Sequence, residues 1–303
     1  MNRSSLSIVF SVLVVIIVGT LITITSNTIL GSSNTITAAY AQKNNNNNNI
    51  VNDNNNTTSA TVGGQRVSFL TDDKVLIVGT YYAPQTTATT SSANAIILLH
   101  MLGHNRNDWN DFASILSNKT NSYAVLSIDL RSHGESTSQN GTSQNGNTIL
   151  SFLLTPNDFN KMVMDVKAAK QFLVTQKNIN PNNIAIVGAA IGANVALNYA
   201  ASDSSIKAVV LLSPGLDYKG VTTFDAVKQY KGPIYIATAA KDPIAGNDPQ
   251  TLCNEIVNCA NNNRLQVYQD STSHGTDMFS DSSLQPPLDK LIVSWLNAAF
   301  GKS

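Results

Sequence analysis

Charge is what this chain has least of. Lys and Arg together number 19 and Asp and Glu also 19 in 303 residues, so the formal net charge is zero. The basic residues are not clustered, and the electrostatic footprint of a nucleic-acid binder is missing. Cysteine is almost absent: Cys253 and Cys259 are the only two, six residues apart. No Cys or His pair at metal-ligand spacing accompanies them, so the pattern points to no metal site. A local disulfide, favoured if the chain is exported, and two free thiols are the two readings. Histidine occurs only four times, at positions 100, 104, 133 and 274. Imidazole chemistry therefore has few places to reside.

What the N-terminus does have is a long apolar run. Arg3 precedes "IVFSVLVVIIVGTLITI", Ile8 to Ile24, and a small-residue "AYA" stands at Ala39 to Ala41. A basic start, an apolar core and small residues before a cleavage point read as a secretory signal over residues 1–41, removed before Gln42. About 17 apolar residues also reach the lower limit for spanning a bilayer, so an uncleaved anchor is the other reading. Either way the body is expected outside the cell or at its surface, with membrane contact only through this segment. Residues 42–64 include "KNNNNNNIVNDNNNTTSA". Such a stretch buries too little apolar surface to offset its ordering entropy and reads as a disordered tether. Asn-x-Thr sequons stand at Asn55, Asn56, Asn118 and Asn140, usable only in a host that glycosylates exported chains. Residues 65–303 suit one α/β domain.

Within that domain short apolar runs alternate with helical patterns. The strand candidates are "RVSFL", "KVLIVGTY", "AIILLH", "AVLSID", "IAIVG", "AVVLLS", "IYIATA" and "LQVYQ". From the third onward most are apolar at odd and even positions alike, as strands covered on both faces must be. The first two, joined by "TDD", read as an antiparallel hairpin. One helix is expected over Asp158 to Gln176, with Phe159, Met162, Val166, Ala169 and Phe172 or Leu173 on its apolar stripe, and another over Asp289 to Phe300. Alternating strands and helices imply right-handed crossovers, a mostly parallel sheet, and ligands at the carboxyl ends of its strands. The polar stretch "ESTSQNGTSQNGNT", Glu135 to Thr148, reads as a surface loop.

The run "IVGAAIGANVAL", Ile186 to Leu197, is a buried strand, a glycine-flanked turn and a helix of small residues. A G-x-x-x-G turn alone is common. Here it lies between "LLHMLGHNRNDW" and "SIDLRSHGES" on one side and, on the other, Asp242 in "ATAAKDPIAG" and His274 in "DSTSHGTDMF". Together with "LLSPGLDY", these segments resemble the α/β-hydrolase superfamily, in its dienelactone-hydrolase-like and serine-esterase-like branch, over essentially Gln65 to Ser303.

The resemblance implies an eight-stranded, mostly parallel sheet with helices on both faces. Only about twenty residues separate Ser213 from Pro233, so no large cap domain is expected there. In that family the catalytic order is Ser, then Asp or Glu, then His, with the serine centred in G-x-S-x-G. The order implies Asp242 as orienting carboxylate and His274 as base. The backbone N–H groups of Leu102 and Ile191 match the oxyanion donors. The nucleophile position holds Ala190, which has no nucleophilic atom. Asp248 and Asp277 are the competing acids, and Asp242 could instead cap the turn before Pro243. Ser213, Ser271 and Ser273 are the serines from which a displaced nucleophile could come. His100, His133, Asp129 and Arg131 read as structural and His104 as exposed. The expectation is an exported fold of carboxylic-ester hydrolase ancestry with weak or no serine-type turnover. The alternative is a non-catalytic protein holding a small carbonyl or carboxylate ligand. No cofactor or metal is implied, and the oligomeric state is not readable.

Overall fold

The structure, a computed structural model, describes residues 63–85, 92–137, 154–176, 179–257, 259 and 264–302. The proposed signal, nearly all of the Asn-rich tether, the sequons at Asn55, Asn56 and Asn140, and most of the SQNG loop lie outside the described residues.

Eight strands form one sheet: β1 (Gln65–Leu70), β2 (Leu76–Tyr82), β3 (Ala93–Leu99), β4 (Ala124–Ile128), β5 (Ile179–Ala189), β6 (Ile206–Leu212), β9 (Ile234–Ala239) and β10 (Leu265–Tyr268). A separate two-residue ladder, β7 (Asp217–Tyr218) with β8 (Val221–Thr222), was not anticipated. Strand order across the sheet is β1-β2-β4-β3-β5-β6-β9-β10. The first two strands form the expected antiparallel hairpin, and β2 meets β4 antiparallel; every other pairing is parallel. The chain places β4 on one side of β3 and β5 on the other. Loops leaving the carboxyl ends of β3 and β5 therefore diverge, and a crevice opens between them.

Both faces of the central strands are covered, which is why their sequences do not alternate. In β3, Ile97 and Leu99 join one buried cluster while Ile96 and Leu98 join the other. The first cluster is closed by α3 (Met162–Thr175) and α4 (Ile191–Ser202), the second by α1 (Asn110–Ser117) and α7 (Leu288–Ala299). Each fully buried Ile or Leu contributes roughly 1.5–3 kcal/mol. Two small helices, α5 (Phe224–Gln229) and α6 (Asp248–Asn254), flank β9. Between Ser213 and Pro233 the chain forms only β7, β8 and α5, with no inserted domain.

The helix expected over Asp158 to Gln176 is two. Thr155 caps α2 (Pro156–Asn160) through a reciprocal capping box with Asp158, and α3 restarts after Lys161. The capping box satisfies the first orphan N–H groups and fixes the start upstream of the apolar stripe. Met162, Val166, Ala169 and Leu173 are buried as that stripe requires, but so is Asp165. Its carboxylate accepts from the Arg131 backbone N–H and Nε, both at 2.9 Å. Cys253 and Cys259 are joined in a disulfide with Cα atoms 5.5 Å apart. Among the described residues no helix is long and apolar enough to cross a membrane.

Candidate active site

The turn after β5 is built by close approach. A Cβ on Gly188 would run into the backbone of Gly192 and Ala193, and one on Gly192 would lie 2.6 Å from the carbonyl oxygens of Leu99 and His100. Two glycines let α4 start directly behind its strand, against the end of β3. Between them Ala190 has φ 51° and ψ −117°. A residue carrying Cβ is held there at a cost of about 1–3 kcal/mol, so the surroundings must determine it. They do. The Ala190 N–H donates to Leu212 O at 2.8 Å, extending the sheet ladder, while its carbonyl accepts from Ala193 and Asn194 at 3.0 and 3.2 Å.

Opposite this turn stand the predicted acid and base. Asp242 follows β9 and His274 follows β10, and parallel pairing of those strands sets the two loops side by side. His274 Nδ1 lies 2.8 Å from Asp242 Oδ2. The other carboxylate oxygen accepts from the N–H groups of Ile244 at 2.9 Å and Ala245 at 3.1 Å. Asp242 therefore caps its turn and orients the imidazole at once; the two readings were not exclusive. Burial alone would push its carboxyl up. The His274 hydrogen bond, the two backbone N–H groups and the Ser213 hydroxyl outweigh burial and hold it below the usual carboxylate range.

Ala190, Ile191, Leu102 and His274 all line one cleft of about 510 Å³. Among the described residues the Leu102 and Ile191 N–H groups have no backbone acceptor outside helices and strands. Ile191 opens α4, where the first N–H groups are unpaired by construction and the helix dipole favours negative charge. The remaining wall is mixed: Met101, Ile244 and Tyr218 supply its apolar part, and His104, Asp217, Lys219 and Asp277 its polar part. Tyr218 packs edge-on to His274 with ring centroids 6.3 Å apart and donates to Ser213 O at 3.2 Å.

None of the three candidate serines lines this cleft. Ser213, fully buried, accepts from the Gly275 N–H at 3.0 Å. Ser271 and Ser273 both donate to Asp281 Oδ2 at 2.7 Å, holding the loop that carries His274. Among the described residues no Ser, Thr or Cys lines the cleft. Of the competing acids, Asp248 accepts from Leu216 N–H at 2.8 Å and does not line the cleft, whereas Asp277 does. Among the described residues no group of three or more His, Cys, Asp and Glu is placed to hold a metal.

The other histidines divide. His100 is wholly buried, with Nδ1 at 2.7 Å from Met101 O and Nε2 accepting from Leu130 N–H at 3.0 Å. Burial first, then the neighbouring His133, press its pKa down to about 3, so it is neutral and ties the β3 loop to the β4 loop. His133, its ring tilted against that of His100 with centroids 5.0 Å apart, is buried as well. His104 is exposed as expected, yet it lines the cleft.

Sequence reading missed the hairpin that rims the cleft. Asp217, Tyr218 and Lys219 line it, presented by a two-residue turn in which Lys219 and Gly220 both have positive φ, 56° and 85°. Such turns favour Asn-Gly; the only signal in "DYKG" was its glycine.

The dienelactone hydrolase family matches residues 79–280 of this chain. No curated protein matches it by sequence. Among solved structures, an esterase from Pyrococcus furiosus superposes with a TM-score of 0.57 at 17% identity, covering 82% of this chain and 96% of that one. Acetyl xylan esterase 1 from Thermoanaerobacterium gives 0.55 at 15% identity, covering 81% and 86%. A dienelactone hydrolase from Anabaena variabilis gives 0.54 at 16% identity, covering 78% and 98%. At such identities the structures speak for the fold. With the family match spanning most of the domain, the chain belongs to the dienelactone hydrolase family, serine-esterase-type hydrolases of the α/β-hydrolase fold.

Proposed function

We propose that this cleft is a carboxylic-ester hydrolase site with every part in place except the nucleophile. One observation carries the reading: the His274–Asp242 pair and the Leu102 and Ile191 N–H groups surround a strained turn whose residue, Ala190, bears a methyl group. An imidazole oriented through Nδ1 presents Nε2 as a base, and main-chain donors can stabilise an oxyanion whatever side chain stands at 190. No acyl-enzyme can form on alanine. Serine-type turnover is therefore absent, and what the site retains is substrate positioning, the oxyanion donors and a base. When a triad member is lost, such remnants can leave about 10³–10⁴-fold over the uncatalysed rate.

Restoring the hydroxyl tests this. Ala190→Ser should hydrolyse p-nitrophenyl acetate at least about 100-fold faster than the unmodified protein, and adding His274→Ala should abolish the gain. A folded but inert Ala190→Ser protein would refute the reading and favour the alternative, in which the cleft only holds a carbonyl or carboxylate ligand.

The apolar N-terminal run and the Cys253–Cys259 disulfide support an exported protein. The mass of the chain recovered from its host should lack residues 1–41; a full-length mass from a membrane fraction would mean an anchor instead.

A further inference from the structure

Beside the His274–Asp242 pair the cleft holds a second imidazole–carboxylate pair that the serine mechanism does not use. His104 Nδ1 lies 2.7 Å from Asp108 Oδ2. The same carboxylate oxygen accepts from Thr276 Oγ1 at 3.4 Å, two residues past His274. Asp108 thus ties the loop after β3 to the loop after β10. Because Asp108 occupies Nδ1, Nε2 is the nitrogen without a partner among the described residues, and the side chain is 41% exposed. His100 has both nitrogens engaged and no such freedom. His104 and His274 line the same cleft, which also contains Ala190.

A serine esterase needs one imidazole because acylation divides the reaction in two. Without the serine, water must displace the alcohol through a single tetrahedral species. That step requires a base for the water proton and an acid for the leaving oxygen, and a general acid or base contributes about 10²–10⁴-fold.

Resting on the reading of the cleft given above, we propose that His104 is a second catalytic residue, the general acid of a direct, water-driven hydrolysis of alkyl carboxylic esters. His274 Nε2 takes one proton from water as the water oxygen bonds to the acyl carbon. The carbonyl oxygen becomes an oxyanion before the Leu102 and Ile191 N–H groups. The acyl carbon–alkoxy bond then breaks, and the leaving oxygen takes the Nε2 proton of His104, which enters the step as the imidazolium and keeps its Nδ1–H on Asp108. One carboxylic acid and one alcohol result, and exchange with solvent resets both rings.

The test compares two acetate esters on the unmodified protein, against His274→Ala purified identically as background. p-Nitrophenolate leaves without help, whereas ethoxide needs a proton. His104→Gln should lower ethyl acetate hydrolysis by at least about tenfold more than p-nitrophenyl acetate hydrolysis, and Asp108→Asn should act in the same direction more weakly. Unchanged melting temperatures exclude unfolding. Equal losses on the two esters, or no ethyl acetate turnover above the His274→Ala background, would overturn the proposal. The Ala190→Ser protein separates the two failures. If it is an active esterase, the site reading stands and only the role of His104 falls; if it is inert, the site reading has failed.

Discussion

Arg106, in the segment after β3, and Arg131, just after β4, anchor a polar cluster in which almost every valence is closed. Arg106 reaches the carboxylates of Asp129 and Glu135 and donates to Thr80 Oγ1 at 3.1 Å. Asp129 in turn accepts from the backbone N–H groups of Arg106 and Glu135, each at 2.8 Å. Arg131 binds Asp165 and also Asp73, the latter at 2.8 and 3.1 Å. The cleft around Ala190 lies at the carboxyl end of the same sheet, yet among the described residues it leaves groups without partners, two backbone N–H groups and the Nε2 of two imidazoles, around the methyl group of Ala190. Charges buried in a fold must be paired to be tolerable. Groups meant to meet a ligand stay unpaired until it arrives, and that difference separates the structural polar cluster from the functional one.

Breaking the closed cluster should have the larger effect. Arg131→Met leaves Asp165, fully buried, without its cation, and removing one partner of such a pair costs about 3–5 kcal/mol. The sign of the pH dependence follows from Asp165. Burial raises its pKa to about 6 even against the pull of Arg131. A carboxyl raised in the folded state contributes stability that is full below its ordinary value and is lost as pH rises through the folded one. The deficit of Arg131→Met, measured by denaturant unfolding, should therefore be smaller at pH 5 than at pH 8 by this linkage, and a deficit independent of pH would contradict the assignment.

Changing the open site should do less to stability, and with the opposite sign. Ala190→Gly removes only a methyl group from a left-handed backbone that glycine adopts freely. It should raise stability by about 1 kcal/mol. A loss on that substitution would mean that the methyl packs productively and that the turn stores no strain.

Much of this was legible in the chain. Apolar runs without alternation marked strands covered on both sides, and Asp242 and His274 fell in successive loops because parallel strands bring their carboxyl ends to one edge. Asp165 carried a readable signal, since it stands three residues after Met162 and four before Ala169 on the apolar stripe. A carboxylate there demands a cation, but nothing local says that the cation is Arg131. The contact of Tyr218 with His274 was not legible, because it joins residues far apart in sequence through a turn whose first central residue is lysine. The position of His104 on the cleft wall depends likewise on the curl of the loop after β3, which "GHNRN" does not encode in any periodicity.

The central claim is that the cleft lacks a nucleophile and nothing else. A fluorophosphonate probe tests it directly, because a serine oxygen aligned with a base and oxyanion donors displaces fluoride from phosphorus and leaves a stable, weighable adduct. Intact-mass measurement should show no adduct on the unmodified protein, one adduct per chain on Ala190→Ser mapped to residue 190, and none when His274→Ala is added. Labelling of the unmodified protein would reveal a nucleophile elsewhere in the cleft, and a folded Ala190→Ser protein that stays unlabelled would show that the turn, base and donors do not form a working site.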